Sequence, residues 1–280
     1  MNEDINFTSE EPLTEDGRQC YLHVKEGDIS RYVLLPGDPN RVLLFKKLWS
    51  SYSEVAYVRE YRTVTGDYKG VPITATSTGI GDLATSVALE QLARAGADTF
   101  IRVGSCGSLQ EDVPLGTLII NTGMIRDDGT TKAYIQPEYP ALASWEIVMA
   151  LIDSCEKLNK PYRVGIGASA DAFYAGQSRP GFKGYWQSWW DNKISDLQKA
   201  GILNWEGEAS TVMTLSSLYG LRGGFISTVV ANRITHEWGY VGEEDACLVA
   251  SEAVALLAKW DQIKKEKNIA FVTPHMFIKY

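Results

Sequence analysis

The sequence predicts an α/β fold in a single domain, with helices packed on a mostly parallel sheet. Three observations predict it. Short β-branched runs alternate with amphipathic helical patterns from Tyr32 onward. The 280 residues, 45% of them hydrophobic, suffice to bury one large core. No internal repeat or linker divides the pattern, and alternation of this kind lays helices against parallel strands.

Taken in order, Tyr32 to Leu35 reads as a buried strand that stops at Pro36-Gly-Asp-Pro39, with a helix expected from Asn40. Val71 to Thr76 is a strand, Leu83 to Ala95 an apolar helix, and Thr99 to Val103 the next strand. Further strands are expected at Leu118 to Asn121, Arg163 to Gly167 and Gly224 to Val230, and strand-like segments flank Arg59. Trp145 to Leu158, Ala209 to Tyr219 and Glu244 to Lys259 read as helices.

Composition narrows the function classes. A net charge of -8 argues against nucleic acid or a membrane surface as partner, because phosphate-rich surfaces demand clustered cations. No stretch has the apolar length of a membrane span, and the start of the chain, Met1 to Phe7, is acidic, unlike a signal peptide. The cytoplasm is the expected location. Cys20, Cys106, Cys155 and Cys247 are scattered without a Cys-x-x-Cys pair, and the three histidines are equally dispersed. Neither a disulfide framework nor a zinc site is indicated.

The chemistry-bearing residues fall where strands end, which is where open α/β sheets bind ligands. Pro36-Gly-Asp-Pro-Asn-Arg41 leaves the first strand and Arg102-Val-Gly-Ser-Cys-Gly-Ser108 leaves another. Each joins glycine to a guanidinium, and the second adds hydroxyls, a set that suits a small oxyanion such as phosphate. Either loop alone also fits a tight turn with a surface ion pair. Asn204-Trp-Glu-Gly-Glu-Ala209 brings Glu206 and Glu208 to a helix start, as dipole partners or as acceptors for sugar hydroxyls. The nine residues from Asp171 to Arg179 put Phe173, Gln177 and Arg179 in one loop. A Gln amide and a guanidinium match the acceptor, donor, acceptor edge of a pyrimidine-dione, and Phe173 offers a stacking face. A solvated surface loop is the plainer alternative. Val229-Val-Ala-Asn-Arg233 ends one more strand on the same rim.

A dinucleotide reading competes. Gly79-Ile-Gly-Asp-Leu-Ala84 follows a strand and opens a helix, as the Gly-x-Gly-x-x-Ala fingerprint of a nicotinamide-dependent dehydrogenase does. The following strand, however, ends in Arg102-Val-Gly rather than an acid, and Asp98 lies at its other end.

Seven segments in order resemble the nucleoside phosphorylase family of the trimeric and hexameric type, specifically its uridine phosphorylase branch. They are Pro-Gly-Asp-Pro-Asn-Arg at 36–41, Arg-Glu-Tyr at 59–61, Ser-Thr-Gly-Ile-Gly at 77–81 and Arg-Val-Gly-Ser-Cys-Gly at 102–107. Asp-Ala-Phe-Tyr-Ala-Gly-Gln-Ser-Arg at 171–179, Asn-Trp-Glu-Gly-Glu at 204–208 and Asn-Arg at 232–233 complete the set. The resemblance implies a single three-layer α/β/α domain with a central twisted mixed sheet, spanning 31–262 between an N-terminal segment (1–30) and a C-terminal tail (263–280). It implies phosphorolysis of uridine, with deoxyuridine and thymidine left open as further substrates, phosphate as co-substrate and no resident cofactor. Gly37, Arg41, Arg102 and Ser105 would hold phosphate, joined by Arg59 from a neighbouring subunit. Phe173, Gln177, Arg179 and Arg233 would hold uracil, and Glu206, Gly207, Glu208 and His23 the ribose. A homodimer, assembled further into a hexamer, is the implied partner state, with no nucleic acid or membrane.

The purine branches carry an Asp near the end of the strand at 224–231, where this chain reads Ala231-Asn232-Arg233, and that favours a pyrimidine. Some positions depart from the uridine branch. Gly207 stands where Met is usual. Ala84 replaces a Ser that helps ligate a monovalent cation, which leaves Glu60 and the Ile80 backbone as an incomplete potassium site. Tyr21 occupies the alignment position of a His that crosses the interface to the ribose, and His23 follows two residues later. Trp186, Trp189 and Trp190 lie in a segment where the family varies. Cys106, with no His near it in sequence, reads as a packing residue.

Overall fold

Strand burial follows the sheet position of each segment. In the computed structural model, which describes residues 8–276, Tyr32–Pro36 forms β1, buried along its whole length. Residues 1–7 of the expected N-terminal segment and 277–280 of the expected tail lie outside the described residues. A 3-10 turn at Arg41–Leu44 and the single turn α1 (Phe45–Leu48) follow. The helix expected from Asn40 is therefore short, ended by extended backbone at Trp49. β2 (Ser51–Val58), β3 (Tyr61–Tyr68) and β4 (Val71–Thr76) form an antiparallel meander, and α2 is Asp82–Arg94.

β5 (Thr99–Ser108) corrects an expectation: Arg102 to Ser108 does not leave the strand but continues it. Gly104 and Gly107 break the apolar run that marks a strand in sequence, yet each lies where a Cβ would crowd Phe225 or Arg233. β6 (Leu118–Asp127), α3 (Thr130–Tyr134), β7 (Ala141–Leu142), α4 (Trp145–Lys157) and β8 (Tyr162–Ala170) come next. α5 (Lys193–Lys199), β9 (Asn204–Glu206), α6 (Ala209–Leu218), β10 (Arg222–Asn232), β11 (Glu237–Trp238) and α7 (Glu243–Lys267) complete the order. α7 outruns its apolar pattern, which fades near Lys259. Its last turns are tethered by ions instead: Asp261 binds Arg222, Lys264 binds Glu146, and Asn268 closes the helix in the left-handed region.

The sheet is mixed, as expected. β1 lies parallel between β4 and β5, and β10 runs parallel to β5 and antiparallel to β6. β6 pairs with β8, β8 with β9, and β9 returns to β5, so these five strands close into a ring. Alternate residues point to opposite faces. Leu34, Ile101, Val103 and Ile226 meet Ile147, Leu151, Val249 and Leu257 of α4 and α7. Val33, Leu35 and Phe100 meet Leu89 and Leu92 of α2 and Val212 and Leu215 of α6. Helices thus cover both faces. No helix among the described residues is long and apolar enough to cross a membrane.

Candidate active site

Two strand ends and the interior of a third strand meet at the first half of the site. The Thr78 N–H donates to the Pro36 carbonyl and the Gly79 N–H to the Gly37 carbonyl, each at 2.9 Å, so the exits of β1 and β4 lie back to back. A Cβ at Gly37 would stand 3.3 Å from the Gly79 carbonyl oxygen and 3.4 Å from Arg102 Nη2, which explains glycine there. Arg102 reaches the same corner from β5 and donates to Thr78 Oγ1 at 3.0 Å and to the Glu208 carboxylate. Arg41 donates to the Val103 carbonyl at 3.2 Å and pairs with Glu243 at the start of α7. Nε of both arginines is buried without a hydrogen-bond partner among the described residues. Ser105 lies half-buried further along β5, opposite Thr228 of β10.

The two acids divide their work. Glu206, at the end of β9, accepts the Glu208 N–H at 2.7 Å, the Ala209 N–H at 2.9 Å and the Ser169 hydroxyl, so it caps α6. Burial and the nearby Glu208 charge push its carboxyl above the usual range, and Arg102 pulls it back. Glu208 faces outward from that cap, holding Arg102 on one oxygen and the Gly81 N–H on the other at 2.8 Å. Between them, a Cβ on Gly207 would meet only the Ala170 carbonyl, at 4.0 Å, so this position opens onto free space.

The third loop joins the second directly. Gln177 is 4% exposed; its Nε2 donates to the Glu206 carbonyl at 3.2 Å and its Oε1 accepts from Arg179 at 2.7 Å. Arg179 also donates to the Phe173 carbonyl at 2.8 Å and stacks 3.9 Å from the Phe173 ring centre. Arg233 crosses from β10 to the Gln177 and Ser178 carbonyls, at 2.8 and 3.0 Å. Burial, and then the charge of Arg233, lower Arg179 to about 10, and burial lowers Arg233 too. Two guanidiniums thus share a partly buried loop, each bonded to neutral oxygens. An anion forming beside them would be stabilised.

A continuous path of contacts therefore runs from Arg102 through Glu208 and Glu206 to Gln177, Arg179 and Phe173. That path spans the sites expected for phosphate, sugar and base. A family model described as the phosphorylase superfamily matches residues 31–259. The chain belongs to the phosphorylase superfamily. A uridine phosphorylase of Thermococcus kodakarensis is 52% identical over 258 residues, covering 92% of this chain and 93% of that relative. A guanosine phosphorylase of Halorubrum lacusprofundi is 36% identical over 217 residues, 78% of this chain and 85% of that relative. The uridine phosphorylase of Escherichia coli K12 is 34% identical over 205 residues, 73% and 81% of the two chains.

Superfamily membership replaces the dehydrogenase reading, and the geometry gives the reason. The Gly81 N–H, which a dinucleotide would need at the helix start, is taken by Glu208. Cys106 is buried beside Ser227 and Asn204, and burial pushes its thiol up to about 12, far from a nucleophile at neutral pH.

Other expected residues lie apart from this path. Arg59 occupies the turn between β2 and β3 with φ 55°, its guanidinium 5.2 Å from the Tyr21 ring centre. His23 follows in its own left-handed turn, φ 54°, in a segment anchored by Tyr21 and Leu22 N–H groups on Gln91 of α2. The Glu60 side chain packs on Gly79, and Ile80 is 94% exposed. The carbonyl of Ala84 accepts the Tyr61 hydroxyl at 3.0 Å. Trp186 and Trp189 pack edge-on against Trp190 at 5.5 and 5.4 Å, beside a cavity of about 600 Å³ next to the base loop. Sequence reading missed Thr78, Ser169 and Asp82. Thr78 lay inside a quoted motif and Asp82 inside the Gly79–Ala84 fingerprint, whereas Ser169 carries no local signal; the partners that define Ser169 and Asp82 lie 37 and 129 residues away.

Proposed function

We infer that this chain catalyses the reversible phosphorolysis of uridine to uracil and ribose 1-phosphate, a salvage reaction for pyrimidine nucleosides. The contact path from Arg102 to Phe173 carries the reading, because one reaction uses all three of its parts. Phosphate held by Gly37, Arg41, Arg102 and Ser105 approaches C1′ from the face opposite the base. A phosphate oxygen forms the new bond to C1′ while the C1′–N1 bond breaks, and the electron pair leaves with uracil. The phosphate dianion offsets the positive charge growing on ribose. Gln177, Arg179 and Arg233 stabilise the uracil anion through its carbonyl oxygens until solvent protonates it. Glu208 accepts the ribose 2′-hydroxyl and releases one arm of Arg102 to phosphate as it does so. Phosphate is the co-substrate, and no resident cofactor enters the steps.

The similarity to a guanosine phosphorylase raises a purine alternative. Against it, Asn232, which stands near where the purine branches have Asp, is 1% exposed and committed to the backbone. Its amide donates to the Gln110 and Val113 carbonyls and its oxygen accepts from Ile234 and Thr235. It has no free group to protonate a purine. Arg59 completes the phosphate pocket of a second subunit, in a homodimer that repeats into a hexamer. Four free cysteines, three of them buried, fit a reducing cytoplasm. The test is a panel of uridine, 2′-deoxyuridine, thymidine, inosine and guanosine in phosphate buffer, followed by release of free base. Uridine is expected to lead, and faster cleavage of inosine or guanosine overturns the pyrimidine assignment.

A further inference from the structure

Glu208 Oε1 depends on a single backbone donor, the Gly81 N–H. Gly81 has φ 103°, a conformation that side-chain-bearing residues rarely take, so the donor's direction is set by a turn that must be held from outside. Two contacts hold it. Thr85 closes the first turn of α2 onto the Gly81 carbonyl at 3.0 Å. Asp82, the first residue of α2 and 2% exposed, accepts the Thr211 hydroxyl at 2.5 Å. Thr211 sits three residues after Glu208, in the first turn of α6. The 81–82 pair therefore grips the start of α6 twice, once through Glu208 and once through Thr211. The other Asp82 oxygen is buried without a partner among the described residues, a cost that a plain packing residue would avoid.

We propose that Asp82 is a positioning residue for Glu208: its bond to Thr211 locks the Gly81 turn against α6 and so aims the carboxylate that receives the ribose 2′-hydroxyl. This rests on the uridine reading above. It makes Asp82 a determinant of sugar recognition, without contact to substrate.

The experiment measures KM for uridine and the inhibition constant of 2′-deoxyuridine against it, which is readable whether or not the deoxynucleoside turns over. Native protein, Asp82→Ala, Asp82→Asn and Thr211→Val are compared, with thermal unfolding as a control for folding. Asp82→Ala and Thr211→Val should each raise the uridine KM by about tenfold, the scale of one buried hydrogen bond, and move the deoxyuridine constant by less than about twofold. Asp82→Asn, which keeps an oxygen for Thr211, should return uridine KM to within about threefold of native. Equal shifts for both nucleosides, or an unchanged uridine KM in the folded variants, overturn the proposal. If Asp82→Ala does not fold, Thr211→Val removes the same bond with Asp82 intact and decides the matter. Native protein that cleaves no uridine in phosphate fails the functional reading itself, a result distinct from native activity with unselective variants.

Discussion

The Arg102 guanidinium and the Glu208 carboxylate are bonded to each other at the point where the proposed phosphate side of the site meets the proposed sugar side. Both are buried, so neither charge can turn to solvent when the other is removed. Glu208→Gln keeps the shape of the pair but loses the charge. It should lower kcat/KM for uridine by about 10- to 100-fold, the worth of a hydrogen bond to a charged group. The KM for phosphate should fall or stay level, because Arg102 is then freer to bind it. A rise in phosphate KM equal to the loss on uridine would contradict this division of roles.

Gln177 touches two loops at once, through the Glu206 carbonyl and Arg179. Gln177→Leu should leave the uracil edge and the Arg179 fork short of partners, at about 1–3 kcal/mol for each buried polar group left unpaired. Uridine turnover should fall steeply in steady-state assays, and inosine should remain a poor substrate in both forms. A variant that cleaves uridine at the native rate removes Gln177 from the base site.

Arg59 stands in the β2–β3 turn, against Tyr21 rather than against Arg41 or Arg102. If it serves a neighbour's phosphate, Arg59→Ala and Arg102→Ala chains should each be inactive alone and active when mixed after reversible dissociation. Each mixed dimer regains one site with both arginines native. Verified mixed dimers of folded chains with no activity rule out the exchange.

Asp261 ties α7 to the sheet through Arg222 at 2.6 Å and the Tyr32 hydroxyl at 2.7 Å. Burial alone would raise its carboxyl, but bonds from Arg222, Lys264 and Tyr32 outweigh that and hold it down at about 2. The unfolded chain therefore binds the Asp261 proton at higher pH than the folded chain does. This contribution is complete above the ordinary Asp range and is lost as pH falls through about 2. Asp261→Asn should lower the melting temperature at neutral pH, and the gap to native should shrink as pH drops from about 4 toward 2. A gap that stays constant with pH would mean the ion pair is not its source.

Much of this was legible in sequence. The Gly37, Arg102, Glu208 and Gln177 segments stood out because each places an unusual chemical group beside glycine or at an expected strand or helix end, although Arg102 proved to lie within β5. β5 was read too short because Gly104 and Gly107 interrupt its apolar pattern, yet their missing side chains make room for Phe225 and Arg233. α7 was read too short because its last turns are held by ion pairs, which leave no hydrophobic period. The roles of Glu206 and Glu208 looked alike in sequence. Their difference arises when α6 turns its first N–H groups onto one of them and Gly81 onto the other.

The central claim is that one connected site joins phosphate, ribose and uracil, and product analysis with and without phosphate tests it most directly. Uridine incubated with the native protein in phosphate should yield uracil and ribose 1-phosphate in equal amounts, and release should stop when phosphate is withdrawn. Uracil released at the same rate in phosphate-free buffer, accompanied by free ribose, would contradict the account and make water the nucleophile.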